Sequence, residues 1–197
     1  MNASGYLVWQ LKLNVKIENH KVLGAKWCPS TNYNERPSVD VSMLVIHNIS
    51  LPPNQFGGSY IEDFFCNQLD CNGHPYFQEI KDLQVSAHLL IRRDGELVQF
   101  VPFNKRAWHA GRSEFNGETE CNDFSIGIEL EGSDDIPFED AQYQTLTHVT
   151  QAIMQAYPQL IVERIVGHSD IAPGRKTDPG RCFDWQKYKN ILLSNIK

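Results

Sequence analysis

Met43-Leu44-Val45-Ile46-His47 is an unbroken apolar run closed by a histidine. Apolar side chains on successive positions predict a strand buried within a sheet, and the residue that ends it is carried to the sheet rim. A second stretch, Ser125-Ile126-Gly127-Ile128-Glu129-Leu130, alternates instead: Ile126, Ile128 and Leu130 face one way, Gly127 and Glu129 the other. Glu129 therefore projects from a strand beside small Ser125 and Gly127, which leave room for a ligand next to it. Strand placement supplies the rigidity that a catalytic carboxylate needs. The same pattern also suits an edge strand whose glutamate faces water.

Outward from these two strands, Ala87–Ile91 and Leu97–Val101 form a hairpin through Asp94-Gly95, a pair suited to positive backbone φ. Ile165-Val166-Gly167 reads as a last strand. Leu51 to Ser59 is a loop by its prolines and glycines, and Tyr60 to Leu69 a short helix. Asp140 can cap a helix on which Tyr143, Leu146, Val149, Ile153 and Tyr157 recur at helical spacing; another starts near Asp184 and buries Trp185, Tyr188, Ile191 and Leu192. Strands interspersed with helices predict an α/β fold, a single domain over residues 1–197 with a mixed β-sheet flanked by helices. No repeat, low-complexity tract or linker interrupts the 197 residues, and 41% hydrophobic content suffices for one core.

The segment GHSDIAPGRKTDPG, residues 167–180, sets His168 and Asp178 ten positions apart around Lys176, in a stretch too rich in proline and glycine for a helix. With His47 they make two imidazoles and one carboxylate, a zinc-type ligand set with a fourth position left open, as in hydrolytic rather than structural sites. Cys66, Cys71 and His74 lack a fourth ligand of suitable spacing for a second site. The five cysteines are odd in number and scattered, which suits reduced thiols. A net charge of −6 leaves no basic stripe for nucleic acid, although Arg92-Arg93, Lys105-Arg106 and Arg175-Lys176 would suit a substrate bearing carboxylates. No stretch approaches the roughly eighteen apolar residues of a membrane span. Met1 to Lys16 lacks the pattern of an export signal, so a cytoplasmic location is expected.

The runs VIHNISLPP (45–53), FGG (56–58), VSAHLLIRRDGELVQFVPF (85–103), KRAWHAG (105–111) and CNDFSIGIELEG (121–132), together with GHSDIAPGRKTDPG, resemble the AmpD-type anhydro-N-acetylmuramyl-L-alanine amidases. The matches extend from about residue 25 to 185. The wider type 2 amidase family, which includes the T7 phage lysozyme and peptidoglycan recognition proteins, has a zinc-amidase fold with a mixed sheet between helices. The resemblance implies Zn2+ held by His47, His168 and Asp178, Glu129 activating the attacking water, and Lys176 steadying the oxyanion. It further implies a substrate contact at Asn48. Some members carry arginines at the positions of Gln84 and Glu120 to hold substrate carboxylates, which leaves Arg175 for that role here.

Trp108 offers a platform for a sugar ring, or else a core indole; His88, inside an apolar strand, is expected to be structural, and His20, His74 and His148 receive no role. The expectation is then a monomeric cytoplasmic zinc amidase. Its substrate is a small anhydromuropeptide, cut between the anhydromuramic sugar and L-alanine in peptidoglycan recycling. The alternatives are a secreted or periplasmic amidase of intact peptidoglycan and a non-catalytic muropeptide-binding module.

Overall fold

The computed structural model describes residues 15–37 and 40–194; residues 1–14, which carry most of the segment bearing on export, lie outside them. Six strands form one mixed sheet: β1 (Lys26–Trp27), β2 (Met43–Ile49), β3 (Leu89–Ile91), β4 (Leu97–Gln99), β5 (Ser125–Glu131) and β6 (Ile165–Gly167). Their order is β6-β2-β5-β3-β4-β1. β5 runs parallel to both β2 and β3, β6 parallel to β2, and β1 parallel to β4, while β3 and β4 are the antiparallel hairpin. Gly95 takes φ 89° at the turn, as the Asp-Gly pair requires. Two seven-residue parallel strands in the middle of the sheet, each covered on both faces, explain why Met43–Ile46 is uniformly apolar.

Side-chain alternation splits the core into layers. Leu44, Ile46, Ile126, Ile128 and Leu130 face a pair of helices, α3 (Asp140–Ala156) and α5 (Trp185–Ser194), reached after α1 (Tyr60–Phe65), α2 (Pro75–Ile80) and α4 (His168–Ile171) in chain order. Tyr143, Leu146, Val149 and Ile153 form the buried stripe of α3; Tyr188 and Leu192 that of α5, with Trp185 and Ile191 partly covered. On the opposite face, Leu90 and Val98 pack against α1 and α2, whereas Met43, Val45 and Val166 pack with Phe124 and Ile171 of α4. His47 and Glu129 share this second face.

Several boundaries differ from the sequence reading. The helix expected over 60–69 stops at Phe65, because Asn67 adopts φ 56° and its N–H bonds back to the Phe64 carbonyl. A second short helix, α2, then starts at Pro75, capped by His74, whose Nδ1 accepts the Tyr76 N–H at 3.2 Å. The cap of α3 is Glu139 rather than Asp140: its N–H donates to Gln142 Oε1 at 3.1 Å, a capping box that the residue one step later cannot form. The helix ends at Ala156, with Tyr157 as its C-cap, because Pro158 follows and keeps Tyr157 out of the helical region. The stretch after Gly167 does include one helical turn, α4, before proline and glycine end it.

Among the described residues no helix is long and apolar enough to cross a membrane. Leu146 is fully buried between α3 and the sheet. Leu146→Ala is expected to lower the unfolding free energy by about 2–5 kcal/mol, read as a shift in urea midpoint at unchanged slope.

Candidate metal and active site

Parallel register brings the site together. Glu129 lies directly across from His47 in the β5–β2 ladder, so both side chains leave the same face side by side. Gly167 lies across from Ile46, which places the next residue, His168, beside His47 at the carboxyl ends of the strands. The chain then loops back, and Asp178 is fixed when its carbonyl accepts the Ser169 N–H at 3.0 Å. Open α/β sheets commonly build ligand sites at this end.

His47 Nδ1, His168 Nδ1 and Asp178 Oδ2 form a triangle with sides of 2.9, 3.0 and 3.0 Å. It is the one cluster of such residues among those described whose donor atoms could share a metal. The two imidazoles are almost wholly buried, at 1% and 3% side-chain exposure, and the carboxylate is 15% exposed. The outer nitrogens decide what the triangle can hold. His168 Nε2 is 2.9 Å from the Ala110 carbonyl, to which it must donate, leaving Nδ1 of the neutral ring as a lone pair. His47 Nε2 sits 3.0 Å from His109 Nδ1, and His109 Nε2 reaches Ser125 Oγ at 3.1 Å. Once Nε2 of His47 carries the proton, its Nδ1 also presents only a lone pair.

Burial drives the His47 pKa down to about 4, against an opposing hydrogen bond to Asp178, and burial likewise keeps His109 well below the usual range. Burial alone would raise Asp178, yet the imidazoles of His168 and His47 beside it outweigh that and hold the carboxylate ionised. Two imidazole nitrogens and one carboxylate oxygen therefore converge within 3.0 Å. A cation is what such a triangle fits, and the imidazole–carboxylate donor set suits zinc.

Glu129 is 8% exposed, and its Oε2 has no hydrogen-bond partner among the described residues. Burial first, then the charge of Asp178, pushes its carboxyl well above the ordinary value of 4.5, while Lys176 pulls the other way. β5 lies inside the sheet, so this is not a glutamate facing water from an edge. The space over Gly127 is filled by protein: a Cβ there would fall on the His109 ring, so glycine admits the imidazole that backs His47, while Glu129 itself borders open space.

A cavity of about 620 Å³ opens over these groups and is lined by every expected site residue: His47, Asn48, Trp108, Glu129, His168, Arg175, Lys176 and Asp178. Trp108 is half-buried in its wall, its Nε1 donating to Asn34 Oδ1 at 2.8 Å. Lys176 is exposed on the rim. Asn48 Nδ2 braces the site, donating to Asp134 Oδ1 at 2.7 Å and the Pro179 carbonyl at 3.0 Å. Arg175 NH2 donates to the carbonyls of Ala110 and Arg112, both at 2.6 Å, so part of this guanidinium holds protein rather than substrate. Gln84 is exposed next to Trp108 and Arg175, and Glu120 pairs with Arg106 at 3.1 Å. His88 is structural: Nδ1 accepts the Gly127 N–H at 3.0 Å, and Nε2 donates to the Lys105 carbonyl at 3.0 Å.

Sequence reasoning missed His109, the Ala110 carbonyl and Asn122, whose Oδ1 accepts the N–H groups of His109 and Ala110 at 3.2 and 2.8 Å. The available signal was Gly127, a glycine in mid-strand where a close approach is needed.

Residues 37–181 match the family model described as N-acetylmuramoyl-L-alanine amidase. The chain is 53% identical over 182 residues to the 1,6-anhydro-N-acetylmuramyl-L-alanine amidase AmpD of Haemophilus influenzae, covering 92% of this chain and 97% of that protein. It is 54% identical over 179 residues to the Escherichia coli K12 protein of the same name, covering 90% and 97%. A crystal structure of a selenomethionine AmpD derivative superposes with a TM-score of 0.87 at 52% identity, over 89% of this chain and 98% of that one.

His109→Ala removes the acceptor for His47 Nε2, and Gly127→Ala displaces the same ring. Each is expected to weaken divalent-metal affinity by about 10–100-fold, measured by competition with a chromogenic chelator. Unchanged affinity in both variants would show that the outer hydrogen bond does not order the ligand.

Proposed function

The chain belongs to the N-acetylmuramoyl-L-alanine amidase family, and on that premise we propose that it hydrolyses the amide between 1,6-anhydro-N-acetylmuramic acid and L-alanine of small muropeptides, in the cytoplasm, as a zinc-dependent monomer. The observation that carries the reading is the pairing of a metal-fitting triangle with an unpartnered buried carboxylate one strand away. The substrate comes from what the similar amidases are named for. The whole chain, residues 1–197, is read as one catalytic domain.

His47, His168 and Asp178 would hold the ion; zinc bound there would polarise the amide carbonyl and acidify a water near neutral pH. Glu129 takes the proton of the attacking water. Its raised basicity favours taking that proton, and its lack of any other partner leaves Oε2 free to do so. The same carboxyl then returns the proton to the alanine nitrogen, which must be protonated before the C–N bond breaks. Lys176, on the cavity rim, meets the negative charge that develops on the carbonyl oxygen. Trp108 presents its indole to the sugar, while Arg175 and Asn48 bind or frame the peptide end.

Glu129→Gln is expected to keep metal content and substrate affinity while kcat falls by about 10²-fold or more. His47→Ala, His168→Ala or Asp178→Ala should lose both metal and turnover. Because Glu129 must be ionised to act, kcat/KM should fall as the pH drops through its raised pKa, placing the acid limb above the ordinary carboxylate value of 4.5. For the substrate, kcat/KM is to be compared on an anhydromuropeptide, the same peptide on reducing muramic acid, and insoluble sacculi. A preference of about 10-fold or more for the anhydro sugar, about 1.4 kcal/mol, is expected. Equal or faster release from sacculi would overturn the recycling role.

A further inference from the structure

Away from the metal triangle, Cys28 and Cys66 face each other with their sulfurs 3.3 Å apart, although 38 positions separate them in the chain. Both thiols are free and half-buried. The two backbones are already clamped together. Ser30 Oγ donates to the Phe65 carbonyl at 2.5 Å, Asn32 Nδ2 to Asn67 Oδ1 at 3.0 Å, and Asn67 Nδ2 to Asn32 Oδ1 and Thr31 Oγ1 at 2.9 and 3.1 Å. Each cysteine is also anchored to regular structure: the Cys28 N–H to the Gln99 carbonyl at the end of β4, and the Cys66 N–H to the Glu62 carbonyl in α1. The sulfurs are thus held opposite each other by the fold and need approach by only roughly 1.2 Å to reach disulfide bonding distance.

We propose that Cys28 and Cys66 are a dithiol–disulfide site, oxidised by small-molecule disulfides. The thiolate of Cys28 attacks one sulfur of the small disulfide, breaking its S–S bond, forming a mixed disulfide and releasing one small thiol. Cys66 then gives up its proton and attacks the Cys28 sulfur, forming the intramolecular bond and expelling the second small thiol. Two protein thiols and one small disulfide become one protein disulfide and two small thiols, with two electrons passing to the oxidant. Burial and the neighbouring Cys28 push the Cys66 thiol up to about 12, which assigns the first attack to Cys28. Cys71 is held elsewhere, its thiol donating to the Leu69 carbonyl at 3.6 Å, and Cys121 is fully buried. Phe64 and Phe65, immediately before Cys66, line the active-site cavity, so the bond would fasten that wall to the sheet.

The test is to incubate the intact protein with oxidised glutathione, alkylate the remaining thiols under denaturing conditions and map peptides by mass spectrometry. The expected result is a loss of about 2 Da, a peptide linking Cys28 to Cys66, and full alkylation of Cys71, Cys121 and Cys182. Oxidation should raise the thermal midpoint by about 5–10 °C, reversibly with dithiothreitol, and Cys28→Ser and Cys66→Ser should each abolish that rise. Full alkylation of both cysteines, a stable glutathione adduct on Cys28, or a link from Cys66 to Cys71 would each overturn the proposal.

Discussion

The structure turns on three metal-fitting atoms brought to one point. His47 Nδ1, His168 Nδ1 and Asp178 Oδ2 approach within 3.0 Å, and the other nitrogen of each ring is committed as a donor to something fixed. Such a triangle fits a cation at its centre, and the surrounding fold must keep its three atoms aimed there. It does so in layers. Asn122 fixes the backbone that carries His109 and the Ala110 carbonyl, these orient the two imidazoles, and Gly127 leaves the space in which the His109 ring fits. Outer partners of this kind set ring orientation and ligand basicity.

Two glutamates on one strand show how the surroundings divide the work. Glu129 and Glu131 point from the same face of β5, two residues apart. Glu131 is saturated: Oε1 accepts Gly57 N–H at 2.6 Å and Arg92 NH1 at 3.0 Å, and Oε2 accepts the Arg93 N–H at 3.1 Å. Arg92 in turn reaches Glu62 of α1 at 2.6 Å, so Glu131 ties the 56–62 segment to the sheet. Glu129, also buried, has no partner on Oε2 among the described residues. An unsatisfied buried carboxyl destabilises a fold, and its place beside a metal-fitting triangle is what the proposed proton-transfer role rests on.

The sequence made the sheet and the chemistry legible for a shared reason: both depend on short-range pattern. The apolar run into His47, the alternation around Glu129 and the Asp94-Gly95 turn are local signals, and each appears in the structure, with the first strand running on to Ile49 and the hairpin strands trimmed to Leu89–Ile91 and Leu97–Gln99. Residue type alone then grouped His168 and Asp178 with His47. What stayed hidden depends on contacts between distant segments. His109 looks like any polar loop residue until the β5 register sets Gly127 under its ring. The break at Asn67 needs a left-handed residue that apolar spacing does not register, and His74 acquires a role only because a proline follows it at the start of α2. Glu139 displaces Asp140 as the α3 cap because Gln142 lies three residues after it, a pairing visible in the sequence once both members are sought.

Two of the three metal-fitting groups lie at strand ends, and the third comes from a loop. His47 and His168 are positioned by the β2–β6 register whatever the loop does. Asp178 is not; it depends on the Ser169 N–H and on Asn48, which donates to the Pro179 carbonyl and to Asp134. Lys176 lies two residues before Asp178 and Arg175 three, on the same exposed stretch. Both have anchors of their own: the backbone N–H groups of Arg175 and Lys176 donate to the Ala172 carbonyl at 3.1 and 3.0 Å, and the Arg175 guanidinium donates to the Ala110 and Arg112 carbonyls. The loop thus carries one metal-fitting group and both basic residues on its own hydrogen bonds, whereas the carboxylate proposed for proton transfer stands apart on a strand inside the sheet.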